Sequence, residues 1–120
     1  MKKIIEEEIK KCYTNTNFTV LTLANNLNLS QSYLRDVVHQ LFMMSPKKLI
    51  ETIRLNESVS LLRSNMSIYS ISQKVGYSNS RSYRFAFKNR FGISPLRFKE
   101  NAKEKSDTEI RILINKQLWK

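Results

Sequence analysis

Two stretches decide how this chain is read: Val20-x-x-Leu23-Ala24-x-x-Leu27-Asn28-Leu29-Ser30 and Ile68-x-x-Ile71-Ser72-x-x-Val75-Gly76-Tyr77-Ser78. They match position for position at an offset of 48 residues. A second pair, Phe42-Met43-Met44-Ser45-Pro46 and Phe91-Gly92-Ile93-Ser94-Pro95, matches at an offset of 49. The chain is therefore an internal repeat, and the second copy holds one extra residue near the start of its second helix. Within each copy the apolar residues recur at helical spacing, three and four apart. Asn28 and Gly76 fall just past a helix end, where the backbone must turn left-handed; glycine does so freely and asparagine tolerates it. The small residue Ala24 or Ser72 lets a second helix cross closely over the first. Each copy thus reads as a helix, a tight turn and a helix.

Working outward, the punctuation stays helical. Thr19, Ser30, Ser45, Ser67 and Ser94 each stand after an apolar residue that has a second apolar partner five positions on, the spacing of a hydrophobic staple around an N-cap. Pro46 and Pro95 follow two of these serines, at the first helical position, where a missing N–H costs nothing. Seven helices are predicted, at about 3–13, 20–27, 31–42, 46–64, 68–75, 80–91 and 95–104. The fourth is the longest, about 28 Å at 1.5 Å per residue. Ser106 and Glu109 have capping-box spacing, and Ile110, Leu113, Ile114 and Leu118 form a helical stripe. The tail 106–120 is therefore either an eighth helix or a poorly ordered terminus.

The whole sequence has 120 residues, room for one domain or two small modules sharing a core. Two glycines and two prolines, with 41% hydrophobic residues, exclude a collagenous or Gly/Pro-rich disordered chain and argue against an all-β fold. No apolar run approaches the ~18 residues of a membrane span. The N-terminus, Met1-Lys2-Lys3 leading into Glu6-Glu7-Glu8, has no signal-peptide core. A single cysteine, Cys12, allows neither an internal disulfide nor a multi-thiolate metal site, which fits a reducing, cytoplasmic setting. The net charge of +11 calls for a polyanionic partner. It is unevenly spread: residues 14–44 carry one basic and one acidic side chain, whereas residues 76–105 carry eight and two.

Over about residues 1–101 the sequence resembles the AraC/XylS family of bacterial transcription regulators. The second copy carries the resemblance most closely, through Ile68, Ile71, Val75-Gly76-Tyr77-Ser78-Asn79, Phe87-Lys88 and Gly92-Ile93-Ser94-Pro95-x-x-Phe98-Lys99. The first carries it through Leu23-Ala24, Ser30-x-x-Tyr33-Leu34 and Ser45-Pro46, and the linker through Arg54 and Leu61-Leu62. The resemblance implies an all-α fold of seven helices, in which two helix-turn-helix units (about 19–42 and 67–91) are joined by a long linker helix (about 46–64) within a domain spanning 1–105. It also implies a monomer that reads adjacent major grooves of double-stranded DNA, with RNA polymerase as a further partner and oligomerisation only as part of a longer protein. Three positions depart from the family's pattern. Met43 replaces a usual glycine, Asp36 an arginine, and Phe85 a frequent arginine.

The residues proper to recognition follow. In the helix at 31–42 we place Tyr33, Leu34, Val37, Val38 and Leu41 on the apolar face. Gln31, Ser32, Arg35, Asp36 and His39 remain as base-contact candidates. An arginine can donate two hydrogen bonds to guanine, and an aspartate can accept one from cytosine N4. In the helix at 80–91, Tyr83, Ala86, Phe87 and Phe91 read as core. Ser80, Arg81, Ser82, Arg84 and Phe85 remain; Arg81 and Arg84, three apart, share a face. Phe85 has two readings, core packing or contact with a thymine methyl. Phosphate-contact candidates are the helix starts Ser30, Ser45, Asn79 and Ser94, with Lys47, Lys48, Lys88, Arg97 and Lys99.

No Gly-rich phosphate loop, nucleophile–base set or metal-ligand cluster is present, and His39 has no ligating neighbours. The expectation is a sequence-specific DNA-binding regulator without enzymatic activity, metal or cofactor. The competing readings are a non-specific basic nucleic-acid binder and, further off, a membrane-surface or protein-interaction module.

Overall fold

The structure is a computed structural model that describes residues 1–102. It contains seven α-helices and, among the described residues, no strand: α1 (Lys2–Cys12), α2 (Val20–Asn26), α3 (Gln31–Phe42), α4 (Pro46–Leu61), α5 (Ile68–Lys74), α6 (Ser80–Phe91) and α7 (Pro95–Ala102). The expected helix over 106–120 and residues 103–104 of the seventh helix lie outside the described residues.

The helix starts are where local chemistry requires them. Thr19, Ser30, Ser45, Ser67 and Asn79 each take extended backbone, and each side-chain oxygen accepts a hydrogen bond from the amide three residues on, at 2.8–3.2 Å. Ser94 does the same for Arg97 N at 3.1 Å. Each such cap contributes about 1 kcal/mol.

Both tight turns close identically. Leu29 N bonds to Ala24 O, and Tyr77 N to Ser72 O, each at 2.9 Å. Asn28 (φ 57°) and Gly76 (φ 98°) supply the left-handed residue. The one-residue insertion falls between Gly76 and the Asn79 cap. Gln73 Nε2 there donates to Ser78 O at 3.2 Å and satisfies the carbonyl that the longer turn leaves over.

Two cores lie along α4. The first gathers Ile5, Ile9, Phe18, Leu23, Leu34, Val38, Phe42, Leu49 and Ile53. The second gathers Leu55, Val59, Leu62, Ile71, Val75, Tyr83 and Phe87, with Tyr77, Phe91 and Phe98 packed against it. Successive halves of one helix thus serve the two units. Arg54, midway along α4, ties them together. Its Nε donates to Tyr13 O and its Nη2 to Asn15 O, both at 3.0 Å. Its guanidinium also lies 5.9 Å from the centre of the Tyr77 ring. Burial lowers the pKa of this guanidinium from its ordinary value.

The linker helix is shorter than its sequence suggests, ending at Leu61 rather than near 64. Beyond it the amides of Arg63 and Ser64 bond three residues back, to Ser60 O and Leu61 O, and the helical ladder stops. Ser64 competes for the backbone: its hydroxyl donates to Leu61 O at 2.6 Å and accepts from Met66 N at 3.2 Å. Sixteen residues give a helix of about 24 Å.

Candidate nucleic-acid interface

Helices α3 and α6 are both twelve residues long, each begins at a side-chain cap, and each ends at a left-handed residue. Their buried stripes correspond at an offset of 49. Leu34, Val38 and Phe42 face inward in α3, and Tyr83 and Phe87 in α6, with Phe91 half-buried at its end. What points outward is therefore fixed by register rather than by polarity alone.

On α3, Gln31, Ser32, Arg35, Asp36 and His39 are exposed, all on the side away from the core. Tyr33 joins them. It was expected in the apolar face, yet it is 52% exposed, because the stripe at every fourth residue passes through Leu34 and leaves its neighbour outside. Leu41 is likewise at the surface, and Phe42 takes the buried place. The repeat held this signal for Tyr33, which at an offset of 49 falls on the exposed Ser82.

On α6, Arg81, Ser82, Arg84, Phe85 and Lys88 are exposed, and Ser80 is half-buried. Arg84 leans back along the helix, with Nη2 3.4 Å from Ser80 Oγ. Phe85 is 71% exposed, which removes its core-packing reading. Arg90, the remaining arginine of this helix, points inward. Its Nε donates to Asn56 Oδ1 on α4 at 3.1 Å, and its guanidinium lies 5.1 Å from the Phe91 ring centre. Burial lowers its pKa as it does that of Arg54.

The phosphate-contact candidates divide in two. Ser30, Ser45 and Ser94 use their oxygens as caps but keep a hydroxyl proton to donate, and Asn79 keeps its side-chain NH2. Lys88 and Arg97 are exposed. Lys47 lines an open cleft of about 510 Å³ between the units, with Leu21, Gln31, Glu51 and Tyr77 among the other walls. Lys48 shares its charge with Glu51 at 3.4 Å. Lys99 is engaged elsewhere: its ammonium donates to Ser64 O and Met66 O, both at 2.8 Å, closing the turn between α4 and α5. That employment argues against the phosphate role read from its charge.

Cys12 sits half-buried with Sγ 3.4 Å from Glu8 Oε2, and burial together with that carboxylate raises its pKa. Among the described residues no three His, Cys, Asp or Glu side chains come together as a metal site. No described helix is long and apolar enough to cross a membrane.

Residues 23–101 match a family described as a helix-turn-helix domain. The Msm operon regulatory protein of Streptococcus mutans is 37% identical over 101 residues, which cover 83% of this chain and 34% of that protein. The raffinose operon transcriptional regulatory protein RafR of Pediococcus pentosaceus is 36% identical over 88 residues, 72% of this chain and 32% of RafR. The chain thus spans about a third of the length of these curated relatives. Among solved structures, the C-terminal domain of the response regulator yesN from Fusobacterium nucleatum superposes with a TM-score of 0.77 at 25% identity, covering 82% of this chain and 96% of that domain. The DNA-binding domain of AdpA, solved in complex with a target DNA, shares the fold with a TM-score of 0.77 at 18% identity, over 85% of this chain and 91% of that one. The doubled helix-turn-helix, the linker helix and these relatives agree: the chain belongs to the AraC-type helix-turn-helix family of DNA-binding transcription regulators.

Proposed function

We propose that this chain binds double-stranded DNA at a specific sequence, with α3 and α6 in successive turns of the major groove, and thereby regulates transcription. The observation that carries the reading is the match in frame between α3 and α6 combined with their different outward side chains. Two equal helices on one linker present Gln31, Ser32, Arg35, Asp36 and His39 from one unit, and Arg81, Ser82, Arg84 and Lys88 from the other. Unequal recognition surfaces in one chain suit a non-palindromic site of roughly two turns, bound by a monomer, with contacts centred about 10 bp apart. Ser30, Ser45, Asn79 and Ser94, with Lys47, Lys88 and Arg97, take the phosphates and set the register. The work belongs in the cytoplasm, and RNA polymerase is the further partner expected of such a regulator.

The high charge favours a second reading, non-specific binding to any duplex. Selection of bound sites from random duplex DNA separates the two. A single non-palindromic site, bound one to one and at least ~10³-fold tighter than random DNA, is the expected result. Uniform affinity across sequences would establish the second reading, and a palindromic site holding two chains would overturn the monomeric one.

A further inference from the structure

We infer that Phe85 reads the C5 methyl group of a thymine, at the place on α6 that Asp36 holds on α3. The two half-sites then differ at that matched step as thymine against cytosine. The inference rests on the proposed placing of both helices in the major groove.

Phe85 lies six residues past the Asn79 cap, and Asp36 six past the Ser30 cap. The buried residues flanking them, Leu34 and Val38 in α3 and Tyr83 and Phe87 in α6, hold the two helices in the same rotational setting. The two side chains therefore reach equivalent points. At that point one unit presents a carboxylate and the other a phenyl ring.

The ring's exposure is the anomaly. The other apolar residues over the middle of α6, Tyr83, Ala86 and Phe87, are buried, while Phe85 stands in water. It follows Arg81 by four residues and precedes Lys88 by three, so cations bracket it on the same face. A partner for this face must be strongly anionic and yet offer one small apolar feature. The floor of the major groove has one, the thymine methyl. An ionised carboxylate at the matching place meets the opposite demand. It accepts from the cytosine N4 amino group and is repelled by the O4 acceptor of thymine. No rearrangement of the helix is needed, because the side chain is already outside.

Deoxyuridine tests this directly, since it removes the methyl and leaves every hydrogen-bonding group of thymine in place. Each thymine of the selected site is replaced in turn and affinity measured by titration. One position in the half-site bound by α6 should lose about fourfold, the worth of one methyl withdrawn from water. Phe85→Ala should bind the thymine and deoxyuridine duplexes equally there, and Phe85→Asp should prefer cytosine at that step. Circular dichroism verifies that the variants keep their helices. A well-defined site whose thymines all tolerate deoxyuridine overturns the role of Phe85 alone, as does a Phe85→Ala protein that still senses the methyl. If selection yields no preferred duplex, the groove reading fails, and this inference falls with it.

Discussion

The two helix-turn-helix units share a backbone but not an interior. The first is mainly aliphatic, with Leu23, Leu34, Val38, Leu49 and Ile53 beside Phe18 and Phe42, and is closed by α1 through Ile5 and Ile9. The second adds a cluster of aromatic rings to its aliphatic residues. Tyr77, Tyr83, Phe87, Phe91 and Phe98 form a chain of rings with centres 4.6–6.2 Å apart, closed by α7. Where the first unit has Leu34, the second has Tyr83, whose hydroxyl donates to Ser58 Oγ at 2.9 Å; Ser58 in turn donates to Leu55 O at 2.7 Å. The turns differ in the same way. The first unit uses Asn28 and Met43 in left-handed backbone, and the second uses Gly76 and Gly92. The caps and turns are what the two copies retain. Packing is free to change wherever the sum of volumes and the burial of polar atoms still work out.

The two units should differ most at their turns. A Cβ on Gly76 would collide with the Tyr13 carbonyl oxygen and stand 2.8 Å from Arg54 Nε. Gly76→Ala should therefore cost on the order of 3 kcal/mol or more, since left-handed strain adds to a backbone clash. The same pressure does not exist at the first turn, where Asn28 already carries a side chain. Urea unfolding of Gly76→Ala beside Asn28→Ala measures the difference, and equal losses would show that the junction with Arg54 carries no strain.

The aromatic core makes the second expectation a pH effect. Burial pushes Tyr83 from its ordinary value of 10.0 up to about 12, and it pushes Tyr77 up as well. The folded protein holds these protons when the unfolded chain has released them. Their contribution is complete below about pH 10 and is lost as pH rises towards 12, at about 1.4 kcal/mol per pH unit for each group. Urea midpoints between pH 8 and 11.5 should fall on the alkaline side, and Tyr83→Phe should flatten that fall while lowering stability at pH 8 by about 1 kcal/mol.

Charge distinguishes the units next. Replacing Lys88 and Arg97 together by alanine should flatten the plot of log K against log salt by about two slope units, whereas Arg35→Ala should change it by no more than about one. Lys99→Ala should leave the slope alone and instead lower stability by about 1 kcal/mol, because its ammonium holds two carbonyls at a partly exposed turn. A larger slope change from Arg35 than from the pair would show that the basic unit is not the one that approaches phosphate.

The smallest effects lie at the helix ends. Met43 adopts φ 59° with its side chain 82% exposed, so Met43→Gly should stabilise the first unit by about 0.5–1 kcal/mol. Nothing lies within 4 Å of a Cβ at Gly92, so Gly92→Ala should cost about 1 kcal/mol from backbone strain alone. Thermal melts of the two variants should shift in opposite directions.

Most of this frame was legible in the residues. Caps at Thr19, Ser30, Ser45, Ser67, Asn79 and Ser94 depend on a side chain reaching its own backbone, so a few neighbouring letters suffice. The repeat then placed both turns. What escaped depends on distant partners. The turn that follows the shortened linker is held by Lys99, which donates to Ser64 O from 35 residues away in the chain. Arg90 and Lys99 add to the charge of residues 76–105, yet in the fold they serve Asn56 and two carbonyls. Tyr33 was misplaced because it is aromatic, although its repeat partner Ser82 is polar.

Arg54 carries one more consequence. By gripping Tyr13 and Asn15 from the middle of α4, beside Tyr77, it makes the molecule a caliper with its jaws locked. A flexible tether between two readers would tolerate half-sites at several separations. A locked caliper does not: one inserted base pair moves a half-site by about 3.4 Å along the duplex axis and turns it by roughly 35° around it. If α3 and α6 read the groove as proposed, spacing and helical phase thereby become part of what is recognised, alongside base identity. Arg54→Ala should relax that requirement before it abolishes binding, giving a protein that accepts sites the intact one rejects for their length alone.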